Sequence, residues 1–224
     1  MVEGAELWKA VDLYIADRLI PSDPVLDEAV AANAAADLPA IDVAPNQGKL
    51  LHLLARVMGA RKILEIGTLG GYSTIWLARA LPEGGRMITL EANPKHAEVA
   101  RANIARAGLS DIVTLRLGAA LDTLPQLEKE GESPFDLIFI DADKPNIPNY
   151  VKWALKLSRK GTLIIVDNVI RQGEVIEASS DDPNVQGARR LFEMLASEPR
   201  LEATALQTVG SKGHDGFAMA LVID

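Results

Sequence analysis

Two apolar runs that end in acidic and amide side chains constrain this chain most. Phe135-Asp136-Leu137-Ile138-Phe139-Ile140 runs into Asp141-Ala142-Asp143-Lys144, and Leu163-Ile164-Ile165-Val166 runs into Asp167-Asn168. Each run is too short for a buried helix and reads as a fully buried strand. As parallel neighbours in one sheet the two would lie ~4.8 Å apart. Asp141, Asp167 and Asn168 would then converge at the carboxyl edge, where open α/β sheets bind ligands. Three hard oxygen donors, with no Cys and no nearby His, suit Mg²⁺ or Ca²⁺ better than Zn²⁺. Lys144 adds a titratable amine to the same rim.

The rest of the chain fits an α/β fold around those strands. From Arg61 onward, strands are expected at Lys62–Ile66, Arg86–Leu90, Ile112–Leu117, Phe135–Ile140 and Thr162–Val166. Helices fall between them at Ser73–Leu81, Lys95–Ala107, Leu121–Lys129 and Asn146–Leu157, with another at Val185–Ala196. Such alternation indicates βαβ crossovers and a parallel sheet. Glu202–Val209 and Gly216–Ile223 add an antiparallel hairpin around a loop from Gly210 to Asp215, which makes seven strands. Residues 1–60 read as Ala-rich helices, one carrying Leu7, Val11, Tyr14, Ile15 and Leu19 at helical spacing and the third spanning Lys49 to Met58. Ser22 or Asp23 would cap the second helix. The expectation is one domain over 1–224, with a helical layer (1–60) and a core (61–224).

With 31 acidic against 23 basic residues and a net charge of −8, a broad nucleic-acid surface is disfavoured. No run of ~18 apolar residues suggests a membrane span, no signal peptide is visible, and the absence of cysteine excludes thiolate chemistry. A cytoplasmic protein acting on small molecules is expected.

Ile63-Leu64-Glu65-Ile66-Gly67-Thr68-Leu69-Gly70-Gly71-Tyr72-Ser73 is a strand, a glycine-rich turn and a helix start. Its glycines permit positive φ and let a ligand approach the backbone. It is not the dinucleotide fingerprint, and Glu65 would repel a phosphate while suiting the ammonium of an amino-acid ligand. Glu91, at the end of the next strand, stands where a carboxylate accepts both hydrogens of a ribose diol. Leu117-Gly118-Ala119-Ala120 offers small residues beside which an adenine could lie.

Together these motifs resemble the cation-dependent class I O-methyltransferases, the family of catechol and caffeoyl-CoA O-methyltransferases, in their bacterial form. The resemblance runs from Val43-Ala44-Pro45-Asn46-Gln47-Gly48 to the last strand, and Asp141-Ala142-Asp143-Lys144 with Val166-Asp167-Asn168-Val169 is its most specific part. It implies a Rossmann-like sheet and S-adenosylmethionine as methyl donor. It implies a divalent cation on Asp141, Asp167 and Asn168 (Mg²⁺ first, Ca²⁺ or Mn²⁺ as alternatives) and Lys144 as base. Cofactor contacts would fall on Glu65, Gly67, Thr68 and Ser73, with Glu91 at the ribose, Ala120 at the adenine and Asp143 at the amino-acid end. It also implies a homodimer. Two departures from the plant enzymes stand towards the acceptor: Asn168-Val169-Ile170-Arg171 lacks their aromatic residue, and Asn146-Ile147 replaces their Asn-Tyr. Arg171 would meet an acidic acceptor or sit in solvent.

The expected reaction is methylation of one hydroxyl of a catechol-like small molecule. A phenol with pKa ~10 is mostly protonated at neutral pH, so a cation and a base would both favour the nucleophilic oxygen. The alternatives are a cation-independent methyltransferase or one acting on a nitrogen, a non-catalytic S-adenosylmethionine-binding or regulatory protein and, least well fitted, a nicotinamide oxidoreductase. Helix capping would explain one acidic strand end, but less well two with Asn168 and Lys144. Trp8, Trp76 and Trp153 read as packing residues, and His52, His96 and His214 have no metal-ligand spacing. Asp181-Asp182 reads as a solvated loop.

Overall fold

Proline and short polar side chains set the helix starts, because they answer the N–H groups that a first turn leaves unpaired. In the computed structural model, which describes residues 4–224, Pro24, Pro45, Pro94 and Pro183 each open a helix. Asp23, Asn93 and Asp182 cap three of these by accepting from the backbone N–H groups of Val25, Lys95 and Asn184. Asp182, expected in a solvated loop, is therefore a helix cap.

The chain divides into two compact units. The first, Tyr14–Gln126, contains α2 (Pro24–Ala35), α3 (Pro45–Val57), β1 (Lys62–Ile66), α4 (Tyr72–Ala78), β2 (Arg86–Glu91), α5 (Pro94–Arg106) and β3 (Val113–Leu117). Its strands pair in parallel in the order β3-β2-β1. Helices α1 (Ala5–Leu19) and α6 (Ala120–Lys129) each run from one unit into the other.

The second unit holds Leu127–Asp224 and the stretch up to Leu13. It contains β4 (Leu137–Ile140), α7 (Ile147–Lys156), β5 (Leu163–Asp167), α8 (Pro183–Ser197), β6 (Leu201–Gly210) and β7 (Gly213–Val222). Strands β4 and β5 are parallel; β7 pairs antiparallel with β5, and β6 with β7. The strand order β3-β2-β1-β4-β5-β7-β6 bears out the expected mostly parallel seven-stranded sheet with an antiparallel C-terminal hairpin. Strands β1, β4 and β5 are buried almost throughout, as a parallel sheet requires.

Two local features differ from expectation. The hairpin closes on Ser211 and Lys212 alone, with Gly210 opposite Gly213. The polar pair His214-Asp215 hid the strand, yet it is paired there: His214 bonds Gln207, and Asp215 accepts from the backbone N–H groups of Ile170 and Arg171. Short 3₁₀ segments, Lys144–Asn146 and Arg171–Ile176, follow β4 and β5 and carry no periodic signal.

Helix α1 has no buried residue, and Leu7, Val11 and Leu13 on it are 45%, 47% and 61% exposed. Its Asp12 Oδ2 accepts from the Ser211 N–H at 2.7 Å, across 199 residues of sequence. Among the described residues no helix is long and apolar enough to cross a membrane.

Candidate active site

Strand β1 delivers Glu65 into the first unit fully buried. Glu65 and Thr89 are register partners on β1 and β2, so their side chains rise on one face of the sheet. Thr89 donates to Glu65 Oε2 at 2.7 Å, Ser73 donates to Oε1 at 2.7 Å, and Thr74 donates to Oε2 as well. Hydrogen bonds to a charged acceptor contribute ~1.5–3 kcal/mol each, so these three hydroxyls contribute much of what holds this side chain. Glu65 and Ser73, both expected to meet a ligand, meet each other.

Glu91, at the end of β2, is 8% exposed and shapes the glycine-rich turn. Its Oε2 accepts from the N–H groups of Leu69 at 2.8 Å and Thr68 at 3.3 Å, and its Oε1 accepts from Asn93 N at 2.8 Å. His96, read as an ordinary position, lies with Nδ1 3.6 Å from the same Oε1. Gly67 and Gly71 take φ of +98° and +85°, which explains glycine at both. Ala120 opens α6 just after Gly118, whose N–H bonds the Glu91 carbonyl at 2.8 Å.

The second unit brings the acidic strand ends together. Ile140 pairs with Val166, so Asp141 and Asp167 occupy the next register positions on adjacent parallel strands. Lys144 Nζ donates to Asp141 Oδ1 at 3.0 Å. Lys144 is no surface lysine: its side chain is 9% exposed. Asp167 is buried, and its Oδ1 accepts from Asn168 N at 2.8 Å. Asn168 itself takes a left-handed φ of +55°, a conformation Asn tolerates better than most residues.

Asp143 is exposed. It accepts from Asn146 Nδ2 at 2.6 Å and from the Tyr150 hydroxyl. Burial, reinforced by the Asp143 carboxylate, pushes the Tyr150 phenol above its ordinary pKa. Arg171 is half-buried with Nη1 3.8 Å from Asp215 Oδ2, and its Nε is buried without a hydrogen-bond partner.

Two carboxylates and an amide on adjacent strand ends fit a hard, oxygen-preferring divalent cation. Among the described residues no group of three or more His, Cys, Asp or Glu could hold a metal, and Asn168, next to Asp167 in sequence, carries an amide oxygen.

The comparisons with known proteins follow that geometry. The O-methyltransferase family model matches residues 18–221. The chain belongs to the O-methyltransferase family. A curated relative from Niastella koreensis, a catechol O-methyltransferase, is 56% identical over 97% of this chain and 98% of its own. The crystal structure of an O-methyltransferase from Bacillus cereus in complex with SAH has a TM-score of 0.96 at 64% identity, covering 97% of this chain and 99% of that one. TomG of Streptomyces achromogenes, an O-methyltransferase involved in tomaymycin synthesis and solved with SAM, has a TM-score of 0.96 at 51% identity over the whole of both chains. The family expected from the Asp141–Lys144 and Asp167-Asn168 motifs is borne out.

Sequence reasoning missed three residues of this O-methyltransferase that shape its loops. Tyr150 and Asn103 lie on helices, where a Tyr or Asn ordinarily passes for packing or surface. Gly187 sits inside α8, where glycine costs ~1 kcal/mol against alanine, and that cost was its only signal. A β-carbon at Gly187 would collide with the Lys144 carbonyl, so α8 packs against the bare backbone of Lys144.

Proposed function

We propose that this chain transfers the methyl group of S-adenosylmethionine to one hydroxyl of a vicinal dihydroxy aromatic compound, with a divalent cation required. The observation that carries this reading is the pair of buried Lys144 and half-buried Asp141 at 3.0 Å, beside Asp167 at the neighbouring register position. The relatives' catechol O-methyltransferase name and the SAM- and SAH-bound structures support the acceptor class and the donor.

In this mechanism Glu91 takes the ribose diol, the small residues at Ala120 leave room for the adenine, and Asp143 holds the amino-acid end. Gly67 and Thr68 present backbone to the donor, and Glu65 and Ser73 fix the shape of the first turn from below. Asp141, Asp167 and Asn168 would hold the cation, which when bound supplies positive charge that favours phenolate over phenol. Lys144, held in place by Asp141, acts as the neutral amine after its ammonium has released a proton to solvent, and in that form takes the hydroxyl proton at Nζ. Alignment of the two reactants would supply up to ~7–11 kcal/mol of the barrier reduction. We propose further that the protein works as a cytoplasmic homodimer, a reading the exposed apolar residues of α1 support.

A second reading is a cation-independent methyltransferase, favoured by the same ion pair, because the Lys144 ammonium already balances Asp141. Methyl transfer from S-adenosylmethionine to a catechol panel, run with Mg²⁺ and with EDTA, separates the two. Turnover lost in EDTA and restored by Mg²⁺ is expected. Turnover indifferent to EDTA assigns the reaction to the second reading and leaves Asp167 and Asn168 with structural roles.

A further inference from the structure

A buried polar chain in the Tyr14–Gln126 unit is left unused by the reading above. Arg106 Nη1 donates to Asn103 Oδ1 at 2.6 Å. Asn103 Nδ2 donates to the Gly70 carbonyl at 2.8 Å and to Asn33 Oδ1 at 3.1 Å, with the Ala29 carbonyl at 3.4 Å. Asn33 Nδ2 donates in turn to Asp42 Oδ1 at 2.8 Å. Asn103 and Asn33 are 0% and 2% exposed. A guanidinium stands at one end and a carboxylate at the other, so all the hydrogen bonds run in one direction. Flipping either amide would set oxygen against oxygen. Such a chain is stiff, because each bond polarises the next and any unmade bond leaves a buried polar group unsatisfied.

The ligand turn contributes to this chain through the Gly70 carbonyl. Gly70, unlike Gly67 and Gly71, is not among the glycines with positive φ, so its backbone does not call for glycine. A β-carbon at Gly70 would collide with the Asn33 side-chain amide. Helix α2, not the ligand, therefore demands the glycine at this position of the turn, which revises the sequence argument that its glycines serve backbone freedom and ligand approach alone.

We infer that Asn33 and Asn103 are positioning residues for the methyl donor. They clamp the Gly67–Gly71 turn so that the Thr68 and Leu69 N–H groups stay on Glu91, which makes α2 part of the donor site. The inference rests on the reading of the protein as S-adenosylmethionine-dependent.

The test is calorimetric titration of S-adenosylhomocysteine into the wild type, Asn103→Ala, Asn33→Ala, Gly70→Ala and the Gly70→Ala/Asn33→Ala double variant. Steady-state methyl transfer to catechol is measured alongside. Asn103→Ala should weaken binding about tenfold and raise KM for S-adenosylmethionine by a similar factor, with the loss falling on KM rather than kcat. Gly70→Ala should weaken binding alone but add little once Asn33 is trimmed, because the collision partner is gone. Binding within about twofold of wild type in a folded Asn103→Ala protein, or additive losses in the double variant, overturns the inference. Where circular dichroism shows Asn103→Ala unfolded, Asn33→Ala and the double variant decide by the same criteria. A wild type that fails to bind S-adenosylhomocysteine overturns the donor assignment and the clamp with it, whereas unchanged binding in the variants overturns the clamp alone.

Discussion

Two pairs of carboxylates, one pair in each unit, are held in opposite ways. In Tyr14–Gln126, Glu65 accepts from three hydroxyls and Glu91 from backbone N–H groups, donors that keep their protons at any ordinary pH, with His96 beside Glu91. In the unit that carries β4 and β5, Asp141 faces the Lys144 ammonium and Asp143 faces a phenol, partners that can lose theirs. The first pair keeps a shape, and the second faces groups whose charge can change. That division suits a reaction in which one reactant keeps its protonation state and the other has to be deprotonated.

The sharpest way to break the comparison is Lys144→Ala. It should lower kcat for catechol methylation by about 10²–10⁴-fold while S-adenosylhomocysteine binds as to the wild type in calorimetry. A parallel loss of affinity would show that the two roles are not separable. Glu65→Gln should act the other way round. Its amide must turn N–H₂ towards hydroxyls that now donate to a carboxylate, which costs ~2 kcal/mol and is read from the urea midpoint.

The titration of Tyr150 sharpens the comparison further. Its folded pKa is raised, chiefly by burial and then by Asp143, so its stabilising contribution is complete below the unfolded value of ~10. That contribution is lost as pH rises from there through the folded value. The wild type should therefore lose stability above roughly pH 10 more steeply than Tyr150→Phe, with Tyr72, also raised by burial, leaving a residual slope in both. The smallest effect is expected at Gln172, an exposed residue held at φ +58°. Gln172→Gly relieves left-handed strain at some entropic cost and should stabilise by ~0.5 kcal/mol, measured as a small rise in melting temperature.

Most of the fold was legible because the strands announce themselves: Leu137–Ile140 and Leu163–Asp167 are apolar without interruption and stop at acids. The same abrupt ends made Asp141, Asp167 and Lys144 readable as a cluster, since register follows from two parallel strands of similar length. What stayed hidden depends on contacts between residues far apart in sequence. Asn33 and Asn103 are separated by 70 residues and look like unremarkable helix positions. Gly70 was read as a ligand-loop glycine, although the collision that excludes a side chain comes from α2. His214 and Asp215 broke the alternation of β7, and only their partners Gln207, Ile170 and Arg171 account for the strand running on.

The bond between Asp12 and Ser211 has a consequence for the order in which the molecule assembles. Helix α1 buries nothing of its own, and a 15-residue helix of that kind is marginal in water. Its anchor is a hairpin turn synthesised 199 residues later, so the contact closes one of the longest loops the chain can make. During synthesis α1 therefore makes this contact only once the β6–β7 turn exists. In the finished protein it should be the first helix to open, exchanging its amide hydrogens well ahead of those in β4 and β5.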